Sequence, residues 1–141
     1  GLPMFEAAYC GLPVISHDWG GQTDFLYAPK KEKKGKTKMR AHFVKVPYKL
    51  DIIQKEAVWD GVLQADSQWA FVNPAAAKVA IKDVYTNYSL HKGKAKRLQK
   101  HVLKNFTEEK MQQEFLDKSG LAEHIKETAE IEELFSNLFD D

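Results

Sequence analysis

Residues 1–26 read GLPMFEAAYCGLPVISHDWGGQTDFL, and the tripeptide Gly-Leu-Pro stands in them twice, at 1–3 and again at 11–13. The first copy runs into Met4-Phe5-Glu6-Ala7-Ala8, which favours helix; the second runs into Val14-Ile15-Ser16, which favours strand. Pro3 suits the first helical position, where its fixed φ helps and its missing N–H is not needed. Met4, Phe5 and Ala8 recur at helical spacing. Gly11 then falls where a left-handed residue commonly ends a helix. The stretch therefore predicts a short, mostly apolar helix packed on a sheet, then a turn. A short buried strand of a parallel sheet follows over Val14-Ile15-Ser16-His17. Gly20-Gly21 break that strand, and Gln22 to Leu26 begins a further helical turn.

Downstream, the segment from Lys30 to Arg40 is expected to be a loop rich in lysine, with Gly35 near its middle. It reads either as a solvated excursion joining two strands or as a contact surface for anionic lipid, polyphosphate or nucleic acid. Nucleic acid is the weakest of these partners, because no aromatic side chains are interleaved for base stacking. His42-Phe43-Val44-Lys45-Val46 alternates as a strand ending at Pro47. Between Asp51 and Ala65 the apolar pattern Ile52, Ile53, Ala57, Val58, Val62 is patchily helical. Asn73-Pro74 is an N-cap followed by proline at N1. Its helix is expected to bury Ala76, Val79, Ala80, Ile81, Val84 and Tyr85. His91-Lys92-Gly93 reads as punctuation before a basic helix from about Lys94 to Lys104, with Leu98 and Val102 inward and Lys96, Arg97 and Lys100 on a solvated face. Thr107-Glu108-Glu109 starts another helix, which Ser119-Gly120 ends, and an acidic helix is expected over 121–141. The order is that of an α/β protein, the end of an open sheet with a helical C-terminal cover.

Composition narrows the classes. The 141 residues, 43% of them hydrophobic, suffice for one domain with a core. With 21 basic and 20 acidic side chains the net charge is +1, which points away from a nucleic-acid partner. The single cysteine, Cys10, forms no intramolecular disulfide and is expected to be inert packing, as in a reducing compartment. No apolar run approaches the ~20 residues that span a bilayer. A chain that lacks an initial methionine and starts inside a structured stretch is expected to be a fragment.

Several residues carry chemical potential. A helix N-terminus behind a glycine loop attracts anions, since its free N–H groups and a dipole of about half a positive charge converge there. Leu2 and Met4 have such N–H groups; Pro3 does not. Glu6, expected in the first turn, either accepts two hydrogen bonds from a sugar diol or complements the helix dipole. Gly20 and Gly21 either permit a tight turn or let a ligand approach the backbone. His17 and Asp18 are adjacent in a strand and point to opposite faces, so no metal site is expected of them. His42, His91, His101 and His124 are expected at the surface. Trp19, Trp59 and Trp69 are expected to pack, with Trp19 also placed to line a sugar cleft.

In register, Gly1, Leu2, Pro3, Glu6, Ala7, Gly11, Pro13, Val14, Ile15, Gly20, Gly21 and Asp24 match a known pattern, E-x-F-G-L-P-x-x-E-A-x-x-x-G-x-P-V-I followed by G-G-x-x-E/D. The segment resembles the donor-site region in the C-terminal domain of GT-B glycosyltransferases, in particular the large retaining group that includes sucrose and glycogen synthases. A weaker likeness continues to about residue 118, through Asn73-Pro74 and Asn105-Phe106-Thr107, although Glu108 stands where the family commonly has tryptophan. The resemblance implies a truncated Rossmann-like domain over 1–120, in which the lysine-rich loop at 30–40 is longer than is usual for the family and has no family reading. It implies transfer of a sugar from a nucleotide-diphosphate donor to a sugar or glycoconjugate acceptor, in the cytoplasm, with no metal or other cofactor. Gly1, Leu2 and Met4 would then face the donor phosphates, Glu6 the nucleotide ribose, and Gly20 and Gly21 the nucleotide or sugar. No catalytic residue falls within the chain on this likeness. The family's first glutamate, its basic pair and its acceptor-binding N-terminal part would be supplied from outside these residues, so the isolated chain is expected to be inactive, with peripheral membrane contact an open possibility. The alternative is a non-catalytic α/β module that meets anionic partners through Lys30–Arg40.

Overall fold

The computed structural model describes residues 1–32, 35–121 and 125. Lys33, Lys34, His124 and all of the acidic helix expected over 121–141, save Leu121 and Ile125, lie outside them. Two compact units are present, residues 1–103 and residues 104–141. Among the described residues there are five α-helices and three two-stranded sheets, a mixed α/β architecture.

The first unit opens with helix α1, Leu2–Tyr9, carrying Pro3 in its first turn. It closes through two bonds, from the Gly11 N–H to the Ala8 carbonyl (3.0 Å) and from the Leu12 N–H to the Ala7 carbonyl (2.8 Å). That is a Schellman closure, and it demands left-handed backbone at Gly11, whose φ is +68°. The second Gly-Leu-Pro thus turns the chain from α1 into strand β1, Ile15–Ser16. Strand β1 pairs in parallel with β4, Val44–Lys45, through Val44 N–H to the Val14 carbonyl and Val46 N–H to the Ser16 carbonyl, both 2.9 Å. A parallel strand at this place was expected. Helix α2, Thr23–Leu26, follows the glycine pair.

The lysine-rich segment is not a loop throughout. Strands β2, Tyr27–Lys31, and β3, Thr37–Ala41, form an antiparallel hairpin in which Lys30 pairs with Lys38 and Ala28 with Arg40. Lys30, Lys31, Lys38 and Arg40 therefore sit on strands. The helical expectation over 51–65 also fails. Strand β5, Tyr48–Ile52, pairs antiparallel with β6, Gln68–Val72, and only one 3₁₀ turn, Lys55–Ala57, lies between them. Tyr48-Lys49-Leu50-Asp51-Ile52 has strict period-two alternation, the strand signal that the Ile52–Val62 pattern masked.

Helix α3, Pro74–Thr86, starts as expected, with the Asn73 Oδ1 accepting from the Ala76 N–H at 3.0 Å. Its apolar face is another matter. Ala80 alone is buried, whereas Val79, Ile81 and Tyr85 are 68%, 59% and 85% exposed. Helix α4, Tyr88–Asn105, runs straight through His91-Lys92-Gly93 and buries His91, Ala95, Leu98 and Val102, spaced four, three and four apart along one face. These residues complete the core of the first unit with Ala8, Val14, Leu26, Ala28, Phe43, Val46 and Ile53. His42 and His91 are buried, against expectation, because each finds a polar partner that satisfies its ring: the Arg40 carbonyl at 2.8 Å from His42 Nδ1 and the Asp83 carboxylate at 2.8 Å from His91 Nε2. Cys10 is exposed rather than packed, because it caps α1 beside the turn at Gly11. Trp59 is likewise exposed, at the mouth of a tight bridge to Leu63.

In the second unit Thr107 caps helix α5, Glu108–Ser119, by accepting from the Lys110 N–H, and Glu108 and Glu109 occupy the first turn. Gly120, at φ +74°, ends it in left-handed backbone. Both ends were legible.

Gly11 is the first unit's most demanding position. A Cβ there would lie 2.7 Å from Gln99 Oε1, and Gln99 Nε2 donates to the Tyr9 carbonyl at 2.9 Å. Gly11→Ala is expected to cost about 1–3 kcal/mol in urea denaturation, through forced left-handed backbone plus crowding of Gln99. In a Gln99→Ala background the crowding disappears, but a penalty of about 1 kcal/mol persists because φ is unchanged.

Candidate functional site

The first turn of α1 and the glycine turn before α2 come together through aromatic packing. Phe25 of α2 lies 5.3 Å, edge to face, from Phe5 of α1, and its ring edge is 3.8 Å from where a Gly1 side chain would begin. Gly1, Leu2, Gly20 and Gly21 are all exposed. The donor set at the helix start is smaller than the sequence suggests. The Met4 N–H is bonded to the Gly1 carbonyl at 3.1 Å, as is that of Phe5, and Pro3 has none. Leu2 keeps its amide hydrogen.

Glu6 stands in the second turn of α1, not the first, which contains no acidic residue. Its dipole-complementing role therefore falls away, since that interaction fades beyond the first turn. The carboxylate is exposed and has no ion pair or side-chain hydrogen bond among the described residues; beside it Phe5, Tyr9 and Cys10 line a hollow of about 300 Å³.

The two glycines of the turn differ. Gly20 has φ +94°, and its carbonyl accepts from the Thr23 Oγ1 (2.8 Å) and Thr23 N–H (3.1 Å), so the turn itself requires glycine. At Gly21 a Cβ would meet nothing within 4 Å. The fold gives no steric reason for glycine there. Beneath the turn, buried Gln22 donates from Nε2 to the Trp19 carbonyl and lies 3.2 Å from His17 Nε2.

Asp18 carries a cluster that the sequence did not reveal. Tyr27 Oη donates to its carboxylate at 2.8 and 2.9 Å, Lys45 Nζ pairs with it at 2.5 Å, and Tyr48 Oη donates to its backbone carbonyl at 3.2 Å. The partners come from 9 to 30 residues away, so nothing local announces them. The Lys45 hydrogen bond, seconded by that of Tyr27, holds Asp18 below the ordinary carboxylate value, and the same contacts raise Lys45. Asp18 is thus a fixed anion that ties β1 to β2, β4 and β5. Among the described residues no three His, Cys, Asp or Glu side chains gather where an ion could be held.

A second feature joins two segments that sequence alone kept apart. The hairpin and helix α4 border a groove of about 990 Å³ to which Lys30, Lys31, Arg40, Lys45, Lys94 and Arg97 contribute against one carboxylate, Glu32. Arg40 and Glu32 are paired across the hairpin. Arg97, expected on a solvated helix face, is exposed, and with Lys94 it lines this open groove, because the buried face of α4 turns both toward the hairpin.

No family model matches the chain, and no curated protein and no solved structure matches it either. Among the described residues no helix is long and apolar enough to cross a membrane.

The Asp18 cluster predicts a pH signature. A depressed carboxylate adds stability that is complete above its unfolded value of 3.8 and is lost as pH falls through the lower folded value. Asp18→Asn is expected to lose about 1 kcal/mol at neutral pH, in keeping with a part-exposed pair. That difference should close as urea denaturation is repeated down to about pH 2. A gap independent of pH would show that Asp18 contributes by shape alone.

Proposed function

We propose that residues 1–26 form the donor-side wall of a GT-B glycosyltransferase, in the C-terminal, Rossmann-like part of such an enzyme. On this proposal the Leu2 N–H and the positive end of α1 meet the diphosphate of a nucleotide-sugar, and the Glu6 carboxylate accepts two hydrogen bonds from the ribose diol. Gly20 and Gly21 keep the opposite edge clear of side chains. The observation that carries the proposal is Glu6: an exposed carboxylate with no ion pair or side-chain hydrogen bond among the described residues, one turn behind a helix start, in a helix whose dipole it is too far along to complement. Gly21 adds to it, as a glycine that the fold does not need.

The chemistry asked of this wall is electrostatic. As the bond between the sugar and the diphosphate breaks, negative charge grows on the leaving phosphate, and fixed dipoles pointed at that charge lower the barrier without reorganising. Holding the ribose fixes where the reacting carbon lies relative to the acceptor. A glutamate ahead of α1, a basic pair on the leaving group and an acceptor-binding part of the enzyme belong to the same proposal, as do a cytoplasmic setting and a sugar or glycoconjugate acceptor. The 141 residues alone are proposed to bind donor nucleotide without turning it over.

The test is an amide NMR titration of the chain with UDP, GDP and ADP. At about 5 mM nucleotide, a range suited to weak half-sites, shifts are expected at Leu2 to Glu6 and at Gly20 to Gln22. Glu6→Gln should weaken the response about tenfold, as loss of a charge-assisted pair of hydrogen bonds does. Gly21→Ala should weaken it while leaving the urea midpoint unchanged. Shifts that avoid both turns, or that survive both substitutions, overturn the proposal.

A further inference from the structure

The groove between the β2–β3 hairpin and α4 has no part in the donor wall, since none of Gly1, Leu2, Met4, Glu6, Gly20 or Gly21 lines it. Its charge is out of proportion to the chain. A molecule with 21 basic and 20 acidic side chains gathers six cations and a single carboxylate here. The neutralising contacts are already made elsewhere: Glu32 engages Arg40 and reaches Lys38 at 4.0 Å, while Lys45 belongs to Asp18. Lys30, Lys31, Lys94 and Arg97 are left with no ion pair among the described residues.

We propose that this groove binds a soluble oligophosphate, with Lys30, Lys31, Lys94 and Arg97 as its charged ligands. Convergence of like charges opposes folding, and an anion placed among them reverses the sign of that interaction. Their shared field is visible at His42, buried beside them: burial first, then the charges of Arg97, Lys30 and Lys94, hold its imidazole below the ordinary histidine value. The Arg40 carbonyl lies 2.8 Å from Nδ1 and holds the ring in place beside the cluster. The residue types suit phosphate. The Arg97 guanidinium offers a planar fork to two oxygens, and the lysines supply mobile point charges around the remainder. A groove of about 990 Å³ lies at the upper end of small-molecule sites, room for several linked phosphates. Tyr27, on its wall, is already held by Asp18, packs against Phe43 and carries Lys45 Nζ over its ring at 5.0 Å, so it is engaged before any nucleobase arrives.

Calorimetric titration of the whole chain with sodium tripolyphosphate tests this. Lys94→Ala/Arg97→Ala should weaken binding by about tenfold or more, as expected when charge-assisted contacts are removed. Lys78→Ala/Lys82→Ala on α3 removes the same charge away from the groove and should change affinity by no more than about twofold. Glu6→Gln should leave the titration unchanged, which separates this site from the donor wall. Sedimentation with phosphatidylglycerol vesicles is the second arm. Capture by vesicles that tripolyphosphate fails to displace would assign the groove to a bilayer surface and overturn the proposal. So would equal losses in the two double variants, or no heat at about 5 mM tripolyphosphate.

Discussion

The left-handed backbone at Gly11 is the constraint on which the first unit turns. It closes α1, redirects the chain into β1, and leaves room for Gln99 of α4 to reach over and donate to the Tyr9 carbonyl. A side chain at this position would disturb the joint between the N-terminal segment and the helix that buries Ala95, Leu98 and Val102. Parallel pairing of β1 with β4 depends on the same turn, because two-residue strands gain too little from two ladder bonds to hold a register alone. Register comes instead from what flanks the strands: Val14 and Val46 buried at the ends of the pair, and Asp18 tied to Lys45 and Tyr27 just beyond it.

What could be read from the sequence was local. Pro3 and Gly11, Asn73 and Pro74, and Thr107 and Gly120 mark helix ends through φ preferences and side-chain caps, which act within four residues and need no knowledge of the fold. Burial of polar groups is not local. His42 and His91 sit in the core because a carbonyl and a carboxylate happen to meet their rings there, and single-residue character says nothing of that. The apolar face of α3 shows the converse. Periodicity says which side of a helix is apolar, not whether anything packs on it, and Val79, Ile81 and Tyr85 remain exposed in the first unit.

The misread middle of the chain has a different cause. Over Ile52 to Val62, five apolar residues fit helical spacing loosely, while Tyr48 to Ile52 alternates strictly. Competing periods overlap at Ile52, and the strand prevails because β6 supplies a partner for all five residues of β5. The lysine-rich segment follows the same logic. Its charges discourage burial but do not prevent pairing, and an exposed two-stranded ribbon tolerates lysine on both strands. Of the candidate site, Leu2, Glu6 and the glycine pair were legible as motif. The loss of the Met4 amide to Gly1, the second-turn place of Glu6 and the freedom of Gly21 needed coordinates.

A near-neutral chain has organised its charge into two surfaces that work by different physics. At α1 the positive end is a dipole, bordered by Gly1 and Gly21, and the one charged side chain of the helix, Glu6, is negative. On the proposed function such a surface would discriminate by geometry: a diphosphate would lie against the amide only where the Glu6 carboxylate finds hydroxyl hydrogens rather than another phosphate. In the groove beside α4 the positive charge is carried by long side chains of full unit charge, four of them unpaired among the described residues. On the proposal that surface would discriminate by valence, and added salt would weaken it steeply by screening each unit charge. Asp18 engages Lys45 and Glu32 engages Arg40, so that the groove cations left without an ion pair among the described residues are Lys30 and Lys31 of β2 and Lys94 and Arg97 of α4. On the two proposals ionic strength would therefore act on the two surfaces unequally, and the same added salt that weakens binding in the groove would leave the orientation imposed by α1 and Glu6 largely in place.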